Sequence, residues 1–268
     1  MKEAAVKRIA AHVADKSMIA PGIYSMVLSC EIGSRALPGQ FVLVYPRDGS
    51  HLLGRPICIA DADNDSIRIV FRAAGSGTND IAETGIGDRL FVEGPLGRGY
   101  PVSDEITGGR SIVLLGGGIG APSLLFLSKS LRRLDPGADI LAVLGYRDSS
   151  MKHFLYEDIK DTGADALIAT DDGSEGIGGN VIDALKTTDR RADVIYACGP
   201  MPMLSAVKKY AKETGARAYI SLEEHMACGV GVCLGCVVKT LKKDGHSMVN
   251  NARICTEGPV FDAEDVDI

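Results

Sequence analysis

The stretch Ser111-Ile112-Val113-Leu114-Leu115-Gly116-Gly117-Gly118-Ile119-Gly120-Ala121-Pro122 is where the chain changes its period. Ser111 to Leu115 reads as a strand buried on both faces, and the glycines as a tight turn. Leu124, Leu127, Leu131 and Leu134 then recur at helical spacing. Strand, glycine turn and helix in that order open an α/β unit. Asp139 to Leu144, Ala166 to Thr170 and Asp193 to Ala197 read as further buried strands. Helices are predicted over Phe154 to Asp161, Val181 to Lys186 and Pro202 to Glu213. The alternation predicts a parallel sheet with helices on both faces.

Upstream of this point the segments are short and bounded by Gly, Pro, Asp or Asn. Val6 to Val13, Tyr24 to Leu28, Phe41 to Tyr45, Ile57 to Ala60, Ile67 to Phe71 and Arg89 to Val92 read as strands of a closed antiparallel barrel. Asp104 to Arg110, with Gly108-Gly109, reads as a linker. Downstream, the chain turns rich in Gly and Cys from about residue 221. The expected fold is multidomain β and α/β: an antiparallel β-barrel over residues 1–104, a parallel-sheet nucleotide-binding domain over 105–220, and a small cysteine module over 221–268.

With 268 residues, 46% hydrophobic and 24% charged, the composition is that of a globular protein. No apolar run is long enough to predict a transmembrane helix. Met1 to Arg8 lacks the apolar core of a signal peptide. A formal net charge of −6 argues against nucleic acid and an anionic membrane as partners. The seven cysteines are odd in number, which favours metal ligation over disulfides and fits a cytoplasmic chain.

Cys228, Cys233, Cys236 and Cys255 follow the pattern Cys-x4-Cys-x2-Cys-x18-Cys, the ligand spacing of a plant-type 2Fe-2S cluster. Gly229, Gly231 and Gly235 would permit positive φ and close backbone approach to sulfur. Val230, Val232 and Leu234 are expected to keep water off one side. Four thiolates also suit structural zinc, although zinc sites usually pair two short knuckles, whereas here three ligands share one loop. Unligated core cysteines are a third reading.

The glycine turn matches G-x-G-x-x-G/A through Gly116, Gly118 and Ala121. A pyrophosphate can approach the backbone N–H groups of such a turn. By itself the match is a weak signal, and a tight turn without a ligand is the lesser alternative. A second motif, Ala197-Cys198-Gly199-Pro200-Met201-Pro202-Met203, adds weight because both lie at the carboxyl ends of strands. Gly145-Tyr146-Arg147-Asp148 and Asp171-Asp172-Gly173-Ser174 leave the choice between NADH and NADPH open.

Arg55-Pro56-Ile57-Cys58-Ile59-Ala60, Val70-Phe71-Arg72 and Gly75-Ser76-Gly77-Thr78 have a joint meaning beside these motifs. Together with the order barrel, Gly-Gly-Gly-x-Gly-x-Pro and Cys-Gly-Pro-x-Pro-Met, they resemble the ferredoxin-reductase superfamily. Two arginines, a hydroxyl and glycine N–H groups are also what a diphosphate needs. Ser221 to Cys236 is similar to the electron-transfer subunits of class 1B dihydroorotate dehydrogenases. So is Cys255 with Glu257-Gly258-Pro259-Val260-Phe261. Pro38-Gly39-Gln40-Phe41 and Gly94-Pro95-Leu96-Gly97 extend that resemblance over essentially the whole chain.

The resemblance implies FAD on Arg55, Pro56, Ile57, Cys58, Val70, Phe71, Arg72, Gly77 and Thr78. It implies NAD on Gly117, Gly118, Gly120, Cys198, Gly199 and Pro200, and a 2Fe-2S cluster on Cys228, Cys233, Cys236 and Cys255. It also implies an FMN-binding catalytic partner that oxidises dihydroorotate to orotate, in a heterotetramer with two copies of each subunit. Electrons would run from partner FMN to cluster, FAD and NAD+, and no acid or base is expected in this subunit. A ferredoxin or sulfide reductase subunit, or a zinc-stabilised nucleotide-binding module, are the alternatives.

Two features depart from the family pattern. Cys58 stands where Ser is usual, and a thiol is the poorer hydrogen-bonding group. The gap before Cys255 is long, and its extra residues, about Lys242 to Asn251, are expected to form a solvated hairpin loop.

Overall fold

A computed structural model describes residues 7–47, 51–151, 154–243 and 248–268. The first half forms strands β1 (Arg8–Ala20), β2 (Ile23–Ser29), β3 (Phe41–Tyr45), β4 (Arg55–Ala62), β5 (Ser66–Arg72) and β6 (Arg89–Leu96), with helix α1 (Ser76–Glu83) between the last two. They close into an antiparallel barrel in the order β1-β2-β5-β4-β3-β6. Closure comes from β1 against β6, from Arg8 opposite Glu93 to His12 opposite Arg89. This leaves no free sheet edge. Val13, Met26, Leu28, Val42, Ile59 and Ile69 fill the interior.

β1 runs seven residues beyond the Val13 limit read from sequence, to Ala20. Its continuation carries the exposed Asp15 and then Lys16, whose ammonium donates to the Ala82 and Thr84 carbonyls at the end of α1, and these two charges masked the alternation. α1 was not expected either, because Gly75-Ser76-Gly77-Thr78 carries turn residues rather than an apolar stripe.

After the short helix α2 (Asp104–Thr107), which occupies the expected linker, the chain forms β7 (Ser111–Gly117), α3 (Ala121–Leu134), β8 (Asp139–Tyr146), α4 (Tyr156–Lys160), β9 (Asp165–Thr170), β10 (Ile177–Gly178), α5 (Val181–Lys186), β11 (Val194–Cys198), α6 (Met201–Thr214) and β12 (Arg217–Ser221). The C-terminal segment adds β13 (Val237–Lys239), β14 (Asn251–Arg253) and β15 (Val260–Asp262). The sheet order is β10-β9-β8-β7-β11-β12-β15. All its neighbouring pairs are parallel except the last, where Tyr219 faces Asp262. The cysteine-rich segment is therefore stitched to the sheet by its own strand. The order of connection reverses between β7 and β11, which opens a crevice at their carboxyl ends.

Leu124, Leu127 and Leu131 of α3 are fully buried, whereas Leu134, expected on the same face, is 40% exposed at the helix end. The helix expected from Phe154 is shortened to α4 because Leu155 takes a left-handed conformation, φ 58°. α3 also joins the two halves: Phe126 enters the barrel core, and Lys129 forms an ion pair with Asp61 of β4. β13 and β14 pair antiparallel, and residues 244–247 of the loop expected over Lys242 to Asn251 lie outside the described residues. Among the described residues no helix is long and apolar enough to cross a membrane.

Candidate functional site

Two grooves and a thiol loop lie in succession along the carboxyl edge of the sheet. The first groove, about 480 Å³, opens over the crevice and is lined by Gly117, Gly118, Gly120, Gly145, Gly199 and Pro200, with Arg147, Asp148 and Asp171 at its far end. Its floor has no room for side chains. A Cβ on Gly117 would stand 2.7 Å from Met203 Sδ and 2.8 Å from Pro200 Cδ, and one on Gly120 would overlap the Cys198 carbonyl. Gly118 is the complement: its φ is 52° and nothing lies within 4 Å of where a Cβ would be. The turn is thus locked from beneath and open above, the arrangement that lets a diphosphate reach backbone N–H groups.

The second groove, about 290 Å³, lies between the barrel and the segment after β12. Pro56, Ile57 and Cys58 of β4 and Val70, Phe71 and Arg72 of β5 form one wall. Leu222, Glu223, Glu224 and Met226 form the other, with Cys198 between them. This is an apolar slot with a charged end. At that end Thr78 Oγ1 accepts hydrogen bonds from the Ala74 and Gly75 N–H groups, 3.0 Å each, fixing the start of α1. Gly77 lies under Arg55, whose guanidinium a Cβ there would strike. A helix N-terminus, an adjacent guanidinium and a flat apolar slot fit a flavin with its diphosphate. Arg72, Ile119 and Glu223 line both grooves and mark where they meet.

Burial pushes the Cys58 thiol far up, with the nearby Cys198 and Glu223 adding to the effect. Cys198 is pushed up to about 12 by burial and by Glu223. Neither thiol is a usable acid near neutrality. Desolvation by the groove walls also raises the carboxyl of Glu223, although the residue as a whole is exposed.

The thiol loop begins two residues beyond Met226, so Cys228 is at most about 7 Å of chain from the barrel groove. Gly229 (φ 66°) and Gly231 (φ 82°) make its turns, and a Cβ on Gly229 would stand 2.7 Å from Leu43 of β3. The third left-handed residue is Leu234 (φ 57°) rather than the expected Gly235. The thiols associate in pairs: the Cys233 N–H lies 3.4 Å from Cys228 Sγ, and the Cys255 N–H lies 3.4 Å from Cys236 Sγ.

Among the described residues, no three of His, Cys, Asp and Glu gather closely enough to hold a single metal ion. Two pairs of thiols suit a dinuclear centre better than one tetrahedral zinc. Burial raises the Cys228 thiol, but the N–H groups of Cys233, Val230 and Val232 outweigh it and bring the group down to about 6. Burial and the neighbouring Cys236 push Cys255 up to about 12. In the metal-free chain Cys228 therefore gives up its proton more readily than Cys255.

Val230, Val232 and Leu234 do not cover the loop as expected. Val232 is 81% and Leu234 63% exposed, and Cys233 is exposed with them. The sequence reading also missed the brace behind the loop. Arg253 Nη1 donates to the Gly231 carbonyl, 3.2 Å, and its Nε donates to Glu257 Oε2, 2.9 Å. Arg and Glu four apart signal this pair weakly. Tyr100, whose hydroxyl lies 3.3 Å from Ser123 Oγ beneath Cys198, was likewise silent in sequence. His225 is exposed.

The model of the iron-sulfur cluster binding domain of dihydroorotate dehydrogenase B matches residues 223–267. The electron transfer subunit of dihydroorotate dehydrogenase B (NAD(+)) from Bacillus velezensis is 39% identical over 95% of this chain and 96% of its own length. The corresponding subunit from Shouchella clausii is 38% identical over 95% and 96%. A structure of the NADH-dependent reduced ferredoxin-NADP oxidoreductase superposes with a TM-score of 0.82 at 27% identity, covering 100% of this chain and 91% of that one. The FAD/NAD-binding domain of a Vibrio cholerae nitric oxide dioxygenase shares the fold, with a TM-score of 0.66 at 16% identity, covering 80% of this chain and 98% of that one. With that identity over nearly the full length of both chains, this protein belongs to the family of dihydroorotate dehydrogenase B electron transfer subunits.

Proposed function

We propose that the chain carries electrons from a catalytic dihydroorotate dehydrogenase subunit, which holds FMN, through a 2Fe-2S cluster and FAD to NAD+, during oxidation of dihydroorotate to orotate. One observation carries this reading: the nucleotide groove, the barrel groove and the thiol loop are contiguous, joined by Arg72, Ile119 and Glu223 at one junction and by Met226 at the next. A two-electron carrier placed between a nucleotide site and a one-electron centre is what such a relay needs. FAD supplies that chemistry when bound, exchanging hydride on one side and single electrons on the other.

The chain's own residues hold and orient. Pro56, Ile57, Cys58, Val70 and Phe71 form the slot for the ring system, and Arg55, Arg72, Gly77 and Thr78 neutralise and seat the diphosphate. Gly117, Gly118, Gly120, Gly199 and Pro200 seat the nicotinamide nucleotide, and Cys198 closes the slot where the two ligands face each other. Cys228, Cys233, Cys236 and Cys255 hold the cluster. Asp148 and Asp171 suit NADH at the far end of the nucleotide groove, since a carboxylate accepts from a ribose hydroxyl and repels a phosphate.

The partner docks on the exposed apolar rim of Val230, Val232 and Leu234, beside the exposed ligand Cys233. The assembly is a heterotetramer with two copies of each subunit, in the cytoplasm. The chain divides into a flavin unit over 1–104, a nucleotide unit over 105–220 and a cluster unit over 221–268.

Co-expression with the FMN subunit tests the reading. The expected product is a yellow-brown complex containing FAD, iron and acid-labile sulfide, which reduces NAD+ in the presence of dihydroorotate. A colourless chain with stoichiometric zinc would overturn it. A brown complex that serves ferredoxin but not dihydroorotate would move it to the reductase sharing this fold.

A further inference from the structure

The loop that carries Cys228, Cys233 and Cys236 has no fixed charge of its own: every residue from Ala227 to Cys236 is uncharged apart from the thiols. Reduction of a 2Fe-2S cluster takes up one electron and makes or breaks no bond, so it adds a full negative charge beside four thiolates. Charges placed around the loop therefore govern how readily that electron is taken. Net charge and hydrogen bonds toward sulfur are the protein's levers on such a potential.

We propose that the Arg253–Glu257 ion pair sets the reduction potential of the cluster, Arg253 favouring the reduced state and Glu257 opposing it. The proposal rests on the cofactor reading above and adds two tuning residues to it. Arg253 Nη1 donates to the Gly231 carbonyl, 3.2 Å, in the middle of the loop. That carbonyl and the Val232 N–H are the two ends of one peptide, and the Val232 N–H is one of those directed at the Cys228 sulfur. A cation at the oxygen end polarises the peptide and strengthens its N–H toward sulfur. The guanidinium thus acts on a cluster ligand through a single peptide unit.

Glu257 fixes that guanidinium from behind. Its Oε2 accepts from the Arg253 Nε, 2.9 Å, and from the Arg253 backbone N–H, 2.8 Å. The Glu257 N–H in turn donates to the Arg253 carbonyl, 2.8 Å, closing the turn that carries Cys255. A brace needs only hydrogen bonds, and uncharged partners would serve it. The two charges, by contrast, act on an arriving electron with opposite sign. The side chains are 37% and 34% exposed, so solvent screens each charge in part and keeps the effect moderate.

Removing one charge at a time in the complete complex separates tuning from bracing. A redox titration followed by the paramagnetic resonance of the reduced cluster reads the potential without turnover. In Arg253→Gln the ratio of reduced to oxidised cluster at a fixed solution potential should fall about tenfold, which is about 59 mV for one electron. Glu257→Gln keeps an oxygen that accepts from Arg253 but loses the charge, so the ratio should rise, by roughly threefold. Arg253→Lys keeps the charge and should stay within about twofold of wild type.

Shifts of the same sign in the two Gln variants, or none in either, overturn the proposal and leave the pair a brace. So does an Arg253→Lys potential as low as that of Arg253→Gln. Should Arg253→Gln lose its iron and sulfide, Glu257→Gln decides, and a potential that stays or falls there overturns the proposal. A wild-type complex without acid-labile sulfide or a reduced-cluster resonance would instead defeat the cofactor reading, so the two failures are distinguishable.

Discussion

The nucleotide turn and the thiol loop are both glycine-rich, but glycine does different work in each. Gly117 and Gly120 are wedged against Met203, Pro200 and the Cys198 carbonyl, with the sheet beneath them. Gly229 and Gly231 instead let the backbone bend at positive φ around sulfur, beside side chains that face solvent. The first site is built by interior packing and stands ready for a ligand that comes and goes. The second has little core of its own and depends on its metal to complete it. The two should therefore fail independently.

Removing a cluster ligand is the strongest way to break that comparison. Cys255→Ser should abolish NAD+ reduction by dihydroorotate and remove the iron and sulfide from the purified complex. Hydride transfer from NADH to the flavin should persist, because Cys255 lines neither groove. Rapid-mixing absorbance measures both. Loss of the NADH half-reaction would mean that the loop supports the grooves as well as the cluster.

On the nucleotide side, two adjacent glycines separate packing from binding. Gly120→Ala forces a methyl into the Cys198 carbonyl and should cost about 1–3 kcal/mol of stability, read from a denaturant midpoint. Gly118→Ala meets open space, so its stability cost is only the left-handed strain, roughly 1 kcal/mol. Its methyl would stand where the diphosphate is proposed to approach. NADH affinity should fall by about tenfold, the loss of one charged hydrogen bond. Unchanged affinity by titration would place the diphosphate elsewhere.

Much of this division was legible in sequence because it rests on residues whose chemistry is local. The glycine turn, the spacing of the four thiols and the apolar strands announce themselves through neighbours in the chain. What escaped depends on distant parts. β15 is only Val260–Asp262, too short to carry a pattern, and becomes a strand because β12 offers it an edge. Leu43 supports Gly229 from about two-thirds of the chain length away. Val230, Val232 and Leu234 are apolar, and apolarity alone does not tell a core from a face awaiting a partner. That last distinction is testable. Val232→Asp should weaken association with the FMN subunit by about 1–2 kcal/mol in a titration, while leaving iron content and NADH affinity unchanged.

The smallest effect lies within the thiol loop itself, in the cluster-free chain. Cys228 accepts from backbone N–H groups and is lowered to about 6, whereas Cys255, buried beside Cys236, is raised to about 12. The thiolate is the nucleophile, so alkylation tracks deprotonation. At pH 7 Cys228 should be mostly thiolate, and at pH 5 only about one-tenth so. Its labelling by iodoacetamide should therefore rise roughly tenfold between those values, while Cys255 stays unlabelled. Mass spectrometry of the tryptic peptides resolves the two sites. Equal labelling would mean that the N–H groups around Cys228 are not preset, and that the loop takes this shape only once iron is bound.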